Sequence, residues 1–128
     1  MKKKLIVTSL LIITLSSSFT CTKGTHYFYI ENKSSIPVYY EVSFAYPDTS
    51  LSTVNRPPGG NYIEVNSKET DKGSSYFAFN DTLQYFIFSA DTIEQKTWEE
   101  VKANGSYLKR YTFSMQDLEM LNWTITYP

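Results

Sequence analysis

Cys21 is the only cysteine and His26 the only histidine of this 128-residue chain, which limits the chemistry it can do. Nucleophilic catalysis needs a base held rigidly beside a serine, threonine or cysteine. His26 follows Cys21 by five residues and falls at the edge of the first strand-like segment, where it reads as an exposed strand-edge side chain. A Ser-His-Asp or Cys-His apparatus is therefore not expected, and too few ligands exist for a cysteine–histidine metal centre. No segment carries the alternating Asp/Asn pattern and closing Glu of a calcium loop. Catalytic residues, metals and cofactors are all expected to be absent.

The remaining chemistry of Cys21 is that of an acyl acceptor. Lys2, Lys3 and Lys4 form a basic tip, Leu5 to Leu15 are apolar apart from Thr8, Ser9 and Thr14, and Ser16 to Thr20 are small or weakly polar except Phe19. Basic, apolar and small segments in that order make an export signal, too short to cross a bilayer as a stable helix. Ser18, Phe19 and Thr20 stand where a lipoprotein signal presents a leucine-like residue and then two small ones, so the match is loose. Ordinary cleavage near Ser18 or Thr20 is the alternative. Lipidation is preferred because an unpaired thiol is a liability in an oxidising compartment. Thr22 to Thr25 then supply a polar tether. The expected organisation is a signal peptide over 1–20, a lipidated N-terminus and tether over 21–25, and one domain over 26–128. Several acyl chains at Cys21 would hold the protein to a membrane without any membrane-seeking surface of its own.

Carboxylates are the next candidates. Glycoside hydrolysis by the common route needs two of them about 5–10 Å apart across a cleft, and Asp81, Asp91, Glu94, Glu99 and Glu100 are close in sequence. Asp91 with Glu94 or Glu99 is the pair such an enzyme would use. The structural reading is preferred. Asp81-Thr82 and Asp91-Thr92 bracket a strand, where aspartates bond nearby amides in turns, and Glu99 and Glu100 suit the positive end of a helix. Removal of residues 1–20 takes three lysines and leaves nine basic against 13 acidic side chains, a formal charge of −4. With no basic cluster left, nucleic acid is not an expected partner.

Tyrosines are plentiful, 11 of them beside 8 Phe. Tyr27, Tyr29 and Tyr39 are expected on outward faces of adjacent strands, where they could stack on a sugar or engage a protein partner. Covering a second core layer is the plainer role. Trp98 and Trp123 are expected to anchor the core rather than carry a ligand.

The elements that position these residues follow from periodicity. Phe28 and Ile30 alternate with Tyr27 and Tyr29, and Val38, Tyr40, Val42 and Phe44 alternate with Tyr39, Glu41, Ser43 and Ala45. Both are half-buried strands, joined by the turn-forming stretch Asn32 to Pro37 and expected to pair antiparallel. Tyr46 to Asn61 reads as a long loop, Tyr62 to Val65 as a short strand, 66–75 as polar and 76–79 as another strand. Leu83 to Phe88, apolar except Gln84, is expected to be a central strand covered on both faces. Thr97 and Glu100 form a capping box that starts a helix ending at Asn104-Gly105. Ser114 to Asp117 start a second helix, with Leu118 and Leu121 facing the core. Tyr107, Lys109, Tyr111 and Phe113 share a face between the helices, and Trp123, Ile125 and Tyr127 share one in the last strand. The expected fold is mainly β, an antiparallel two-layer sandwich (Ig-like) of six or seven strands with two short helices in the C-terminal half.

The second half carries a resemblance. Phe86-Ile87-Phe88, Ala90-Asp91-Thr92, Trp98 with Glu99 and Val101, Lys109-Arg110-Tyr111, Ser114, Asp117-Leu118, Leu121-Asn122-Trp123 and Tyr127-Pro128 resemble a group of small uncharacterised lipoproteins of Bacteroidetes-type bacteria. Tyr46-Pro47-Asp48-Thr49 and Ile30-Glu31-Asn32-Lys33-Ser34 add to the likeness. The resemblance implies a β-rich cell-envelope lipoprotein, with the outer membrane as its expected site, and transfers no catalytic residue. Surface-exported members of such bacteria often place acidic residues after the cysteine, whereas Thr22, Lys23 and Gly24 stand there in this chain. The periplasmic and surface faces both stay open.

Overall fold

The computed structural model describes residues 27–71 and 81–128; Cys21, His26 and the strand expected over 76–79 lie outside them. Among the described residues seven strands form two sheets. In the first, β1 (Phe28–Asn32) lies between β4 (Lys68–Asp71) and β7 (Thr124–Tyr127). The second has four strands in the order β3 (Tyr62–Ile63), β2 (Val38–Ser43), β5 (Thr82–Ser89) and β6 (Lys109–Ser114). Three helices accompany them: α1 (Ala90–Gln95), α2 (Trp98–Asn104) and α3 (Met115–Met120).

The central strand is β5, as its apolar run predicts. Every residue from Leu83 to Phe88 is buried. Side chains of a strand alternate between faces, and here each face meets a different core. Leu83, Tyr85 and Ile87 join Phe28, Ile30, Val38, Tyr40, Ile63, Leu118 and Ile125 between the two sheets. Phe86 and Phe88 join Leu51, Val54, Ile93 and Val101 on the opposite side. That second core is roofed by the 46–61 segment and the first two helices. The segment is therefore more than a loop: it makes two short 3-10 turns, at Leu51–Thr53 and Gly59–Asn61, and buries Leu51 and Val54.

The expected pairing of the first two strands is corrected. β1 and β2 lie in different sheets, so Phe28 and Ile30 meet Val38 and Tyr40 across the core rather than side by side. Alternation says which face of a strand is apolar; it does not say which strand lies beside it. Nor is the fold wholly antiparallel, because β1 and β7 run parallel, with Ile30 opposite Ile125. β4 falls within the stretch that reads only as polar. It is an edge strand whose residues are mostly exposed, so no apolar alternation marks it.

Both expected helix starts are present. Thr97 accepts from the Glu100 amide while Glu100 accepts from the Thr97 amide, and Ser114 and Asp117 do the same at α3. Gly105 ends α2 in the left-handed conformation (φ 58°) that glycine adopts without steric cost. α1 is a third helix absent from the sequence reading; Ser89 caps it by accepting from the Thr92 amide, so Asp91-Thr92 opens a helix instead of a turn. Leu118 is buried as expected, but Leu121 is exposed because α3 stops at Met120 and the chain reverses through Asn122 and Trp123, both at positive φ. Tyr107 also leaves the face it shares in sequence with Tyr111 and Phe113. It precedes β6 and sets its ring edge-on to Phe86, in the second core. Trp98 packs edge-on against Phe88, and Trp123 stacks on Phe28 with ring centres 5.3 Å apart.

Two fully buried polar side chains tie the layers together. Asn32 Nδ2 donates to the carbonyls of Ile36, Ile63 and Glu64, while its Oδ1 accepts from the Ser34 amide and hydroxyl. This joins the end of β1 to the turn after it and to β3 of the other sheet. Gln84 Nε2 donates to the Asp48 carbonyl and its Oε1 accepts from Arg110, fixing the 46–61 segment to β5 and β6. Replacing Asn32 by alanine strands buried carbonyls without a donor and is expected to cost about 2–4 kcal/mol in urea unfolding. A loss under half a kcal/mol would remove Asn32 from this role. Trp123→Ala takes a half-buried ring off Phe28 and is expected to cost about 2–4 kcal/mol, whereas an unchanged melting temperature would show that the ring packs on nothing of consequence.

Candidate functional site

The three tyrosines singled out by sequence do not form one surface. Tyr27 and Tyr29 are exposed at and beside β1 in the three-stranded sheet, where Lys68 Nζ lies 5.2 Å from the centre of the Tyr29 ring. Tyr39 belongs to β2 in the other sheet and packs against the second core. Its expected neighbours on an adjacent strand are thus replaced by another tyrosine. β2 pairs with β3 so that Tyr39 stands opposite Tyr62. The two rings meet edge to face with centres 5.2 Å apart.

Each phenol of this pair has a carboxylate. Tyr39 donates to Glu94 Oε1 of α1 at 3.4 Å, and Tyr62 donates to Glu64 Oε1 at 3.0 Å. Partial burial and then the Glu94 carboxylate raise the Tyr39 phenol above its ordinary pKa. Partial burial, followed by Glu64, does the same for Tyr62. Arg56 Nη2 donates to the Ile93 carbonyl at 2.6 Å, one residue before Glu94. The result is a corner with two aromatic rings and two acceptor carboxylates, chemistry suited to a ligand rich in hydroxyl or ammonium groups. Tyr62 and Glu64 carry no sequence signal for this role, since only the β2–β3 register brings them to Tyr39.

Two of the other carboxylates weighed for catalysis have structural partners. Glu99 pairs with Lys102 at 2.9 Å, and Glu100 is closed into its capping box, whose Thr97 amide lowers its pKa. Asp91 occupies the first turn of α1. Among the described residues, no group of three or more His, Cys, Asp or Glu side chains is placed to hold a metal ion, and no helix is long and apolar enough to cross a membrane.

Glu41 carries a large shift, and sequence reading assigns it only a face of a strand. Half-buried on β2, it accepts from its neighbour Val42 N–H through Oε1 and from Asn61 Nδ2 through Oε2. Asn61 also donates to the Tyr40 carbonyl, so this contact pins the Gly59–Asn61 turn to β2. Burial, reinforced by the like charge of Asp71 and opposed by the Val42 and Asn61 hydrogen bonds, pushes its pKa up to about 7. No family model, curated protein or solved structure matches the chain.

The sign of the pH effect follows from linkage. Between pH 4.5 and about 7 the folded protein holds a proton on Glu41 that the unfolded chain has released, so this group's contribution to stability falls as pH rises through that window. Glu41→Gln keeps an acceptor for Asn61 without the buried charge. Relative to the parent, it is expected to change little at pH 4 and to gain about 1–2 kcal/mol by pH 8, a figure already reduced for solvent screening at a half-buried site. Urea melts at the two pH values decide it: an equal difference at both would dissociate Glu41 from the titration.

Proposed function

We propose that this protein is a lipid-anchored lipoprotein of the cell envelope whose β-sandwich domain, Ig-like in its two facing sheets, serves as a non-catalytic binding or structural module. One observation carries the reading: a basic, apolar and small leader that ends at the chain's only cysteine. The likeness to small Bacteroidetes-type lipoproteins agrees with it, and the outer membrane is the proposed location. Two or three acyl chains, at about 0.8 kcal/mol per buried CH₂, give firm attachment. The domain is then free to use its surface for a partner. We place that partner, a protein or a glycan, at the Tyr39–Tyr62 corner, where Glu64 and Glu94 offer acceptors beside two rings.

Metabolic labelling with palmitate in a bacterial host tests the anchor. The parent chain is expected to take up label and to sediment with membranes. Cys21→Ser is expected to lose the label and move to the soluble fraction. Equal membrane association of the two forms, without label in either, would overturn lipidation.

A further inference from the structure

The tether after Cys21 delivers the chain to one particular end of the molecule. Tyr27 and the start of β1 lie there, and six residues of extended chain reach at most about 20 Å, so an acyl-bearing Cys21 would hold this end near its bilayer. The parallel pairing of β1 with β7 brings the start of β7 to the same place: the Tyr29 amide donates to the Trp123 carbonyl, and Trp123 stacks on Phe28. Immediately before Trp123 come Met120 and Leu121, which are 73% and 45% exposed. They line an open groove of about 300 Å³ with Thr112, Phe113 and Asp117. Strand directions place further apolar side chains at this end. β2 runs away from the turn at Asn32, so Phe44 and Tyr46, 46% and 48% exposed, follow its last residue here, and Tyr27 is 51% exposed.

Several acidic residues lie at this end. Asp71 pairs with Phe28 in register, Asp117 and Glu119 lie on α3, and Asp48 and Asp81 follow Tyr46 and precede β5. Lys33, Lys68 and Lys109 stand toward the opposite end beside Glu31 and Glu69, whereas Lys72 directly follows Asp71 in sequence and Lys23 lies between Cys21 and Tyr27. A surface of exposed apolar side chains beside the tether suits the headgroup–acyl boundary of a bilayer.

We propose that this end docks on the headgroup–acyl boundary of the membrane that carries Cys21, with Met120, Leu121 and Tyr27 inserted. The proposal rests on the anchored reading above and adds the orientation of the domain.

The test uses the full chain, processed from its own leader and reconstituted in phosphatidylcholine vesicles containing nitroxide-labelled lipid. A fluorophore is attached through Met120→Cys or, as a control, through Asn66→Cys; both sites are exposed, and Asn66 lies in the turn beyond the far end of β1. The intact mass of the mature protein is measured first. An unmodified Cys21 would overturn the anchor and the docking together. With Cys21 acylated, severalfold stronger lipid quenching at 120 than at 66 is the expected result. Equal quenching at both positions would sink the docking and leave the anchor standing. The same is true of a label at 120 that is hidden from aqueous iodide yet untouched by the lipid quencher, which would mean that a second copy covers this end.

Discussion

Water has to be kept from both faces of β5, and the architecture follows from that requirement. Leu83, Tyr85, Phe86, Ile87 and Phe88 are fully buried, three on one face and two on the other. At roughly 1.5–3 kcal/mol for each large apolar side chain buried, they contribute on the order of 10 kcal/mol, comparable with the whole net stability of a small domain. A single sheet cannot provide such burial. The three-stranded sheet covers one face, and the 46–61 segment with α1 and α2 covers the other. Gln84, the one polar residue in the run, is tolerated because both ends of its amide are bonded. Its bonds to Asp48 and Arg110 convert an interruption of the core into the fastening for the roof.

Asn32 solves the corresponding problem between the sheets. Its bonds to Ile36, Ile63 and Glu64 stand where β1 leaves one sheet and the chain crosses to the other. A buried amide with unmade bonds would cost as much as a core cavity. With its bonds made it fixes where the crossing occurs, and with it the register that sets Val38 against Ile63 and Tyr39 against Tyr62. The tyrosine corner is therefore held in place by an asparagine on a strand of the other sheet.

These dependencies explain which parts of the fold were legible in sequence. The Leu83–Phe88 run, the Thr97–Glu100 capping box, the helix start at Ser114 and the stop at Gly105 are local patterns whose physics is complete within a few residues, and all are found. Sheet membership is a non-local property. Phe28 and Val38 each announce an inward face, but both remain inward whether their strands are neighbours or opposed across a core. β4 lacked even this signal, since an exposed edge has no apolar side to display. The same limit governed the site. Tyr39 was visible as an outward tyrosine, whereas its partner Tyr62 and acceptors Glu64 and Glu94 come from separate elements joined only by strand pairing and by the seating of α1. Glu41 stayed hidden because nothing in its strand foretells that Asn61, twenty residues on, will enclose it.

Strand direction then relates the two surfaces. β2 begins beside Ile63 and ends near the start of β5, so Tyr39 lies toward the end of the molecule farthest from Tyr27. A strand of this length covers about 20 Å at 3.3 Å per residue. Tethering through Cys21 would hold the apolar end toward the bilayer and turn the Tyr39–Tyr62 corner away from it. The corner's ring faces and carboxylates would then meet soluble partners instead of lipid. That Tyr27 stands at one end of β1 and the Tyr39–Tyr62 corner beyond its other end is a consequence of the same crossing at Asn32, which reverses the chain between sheets.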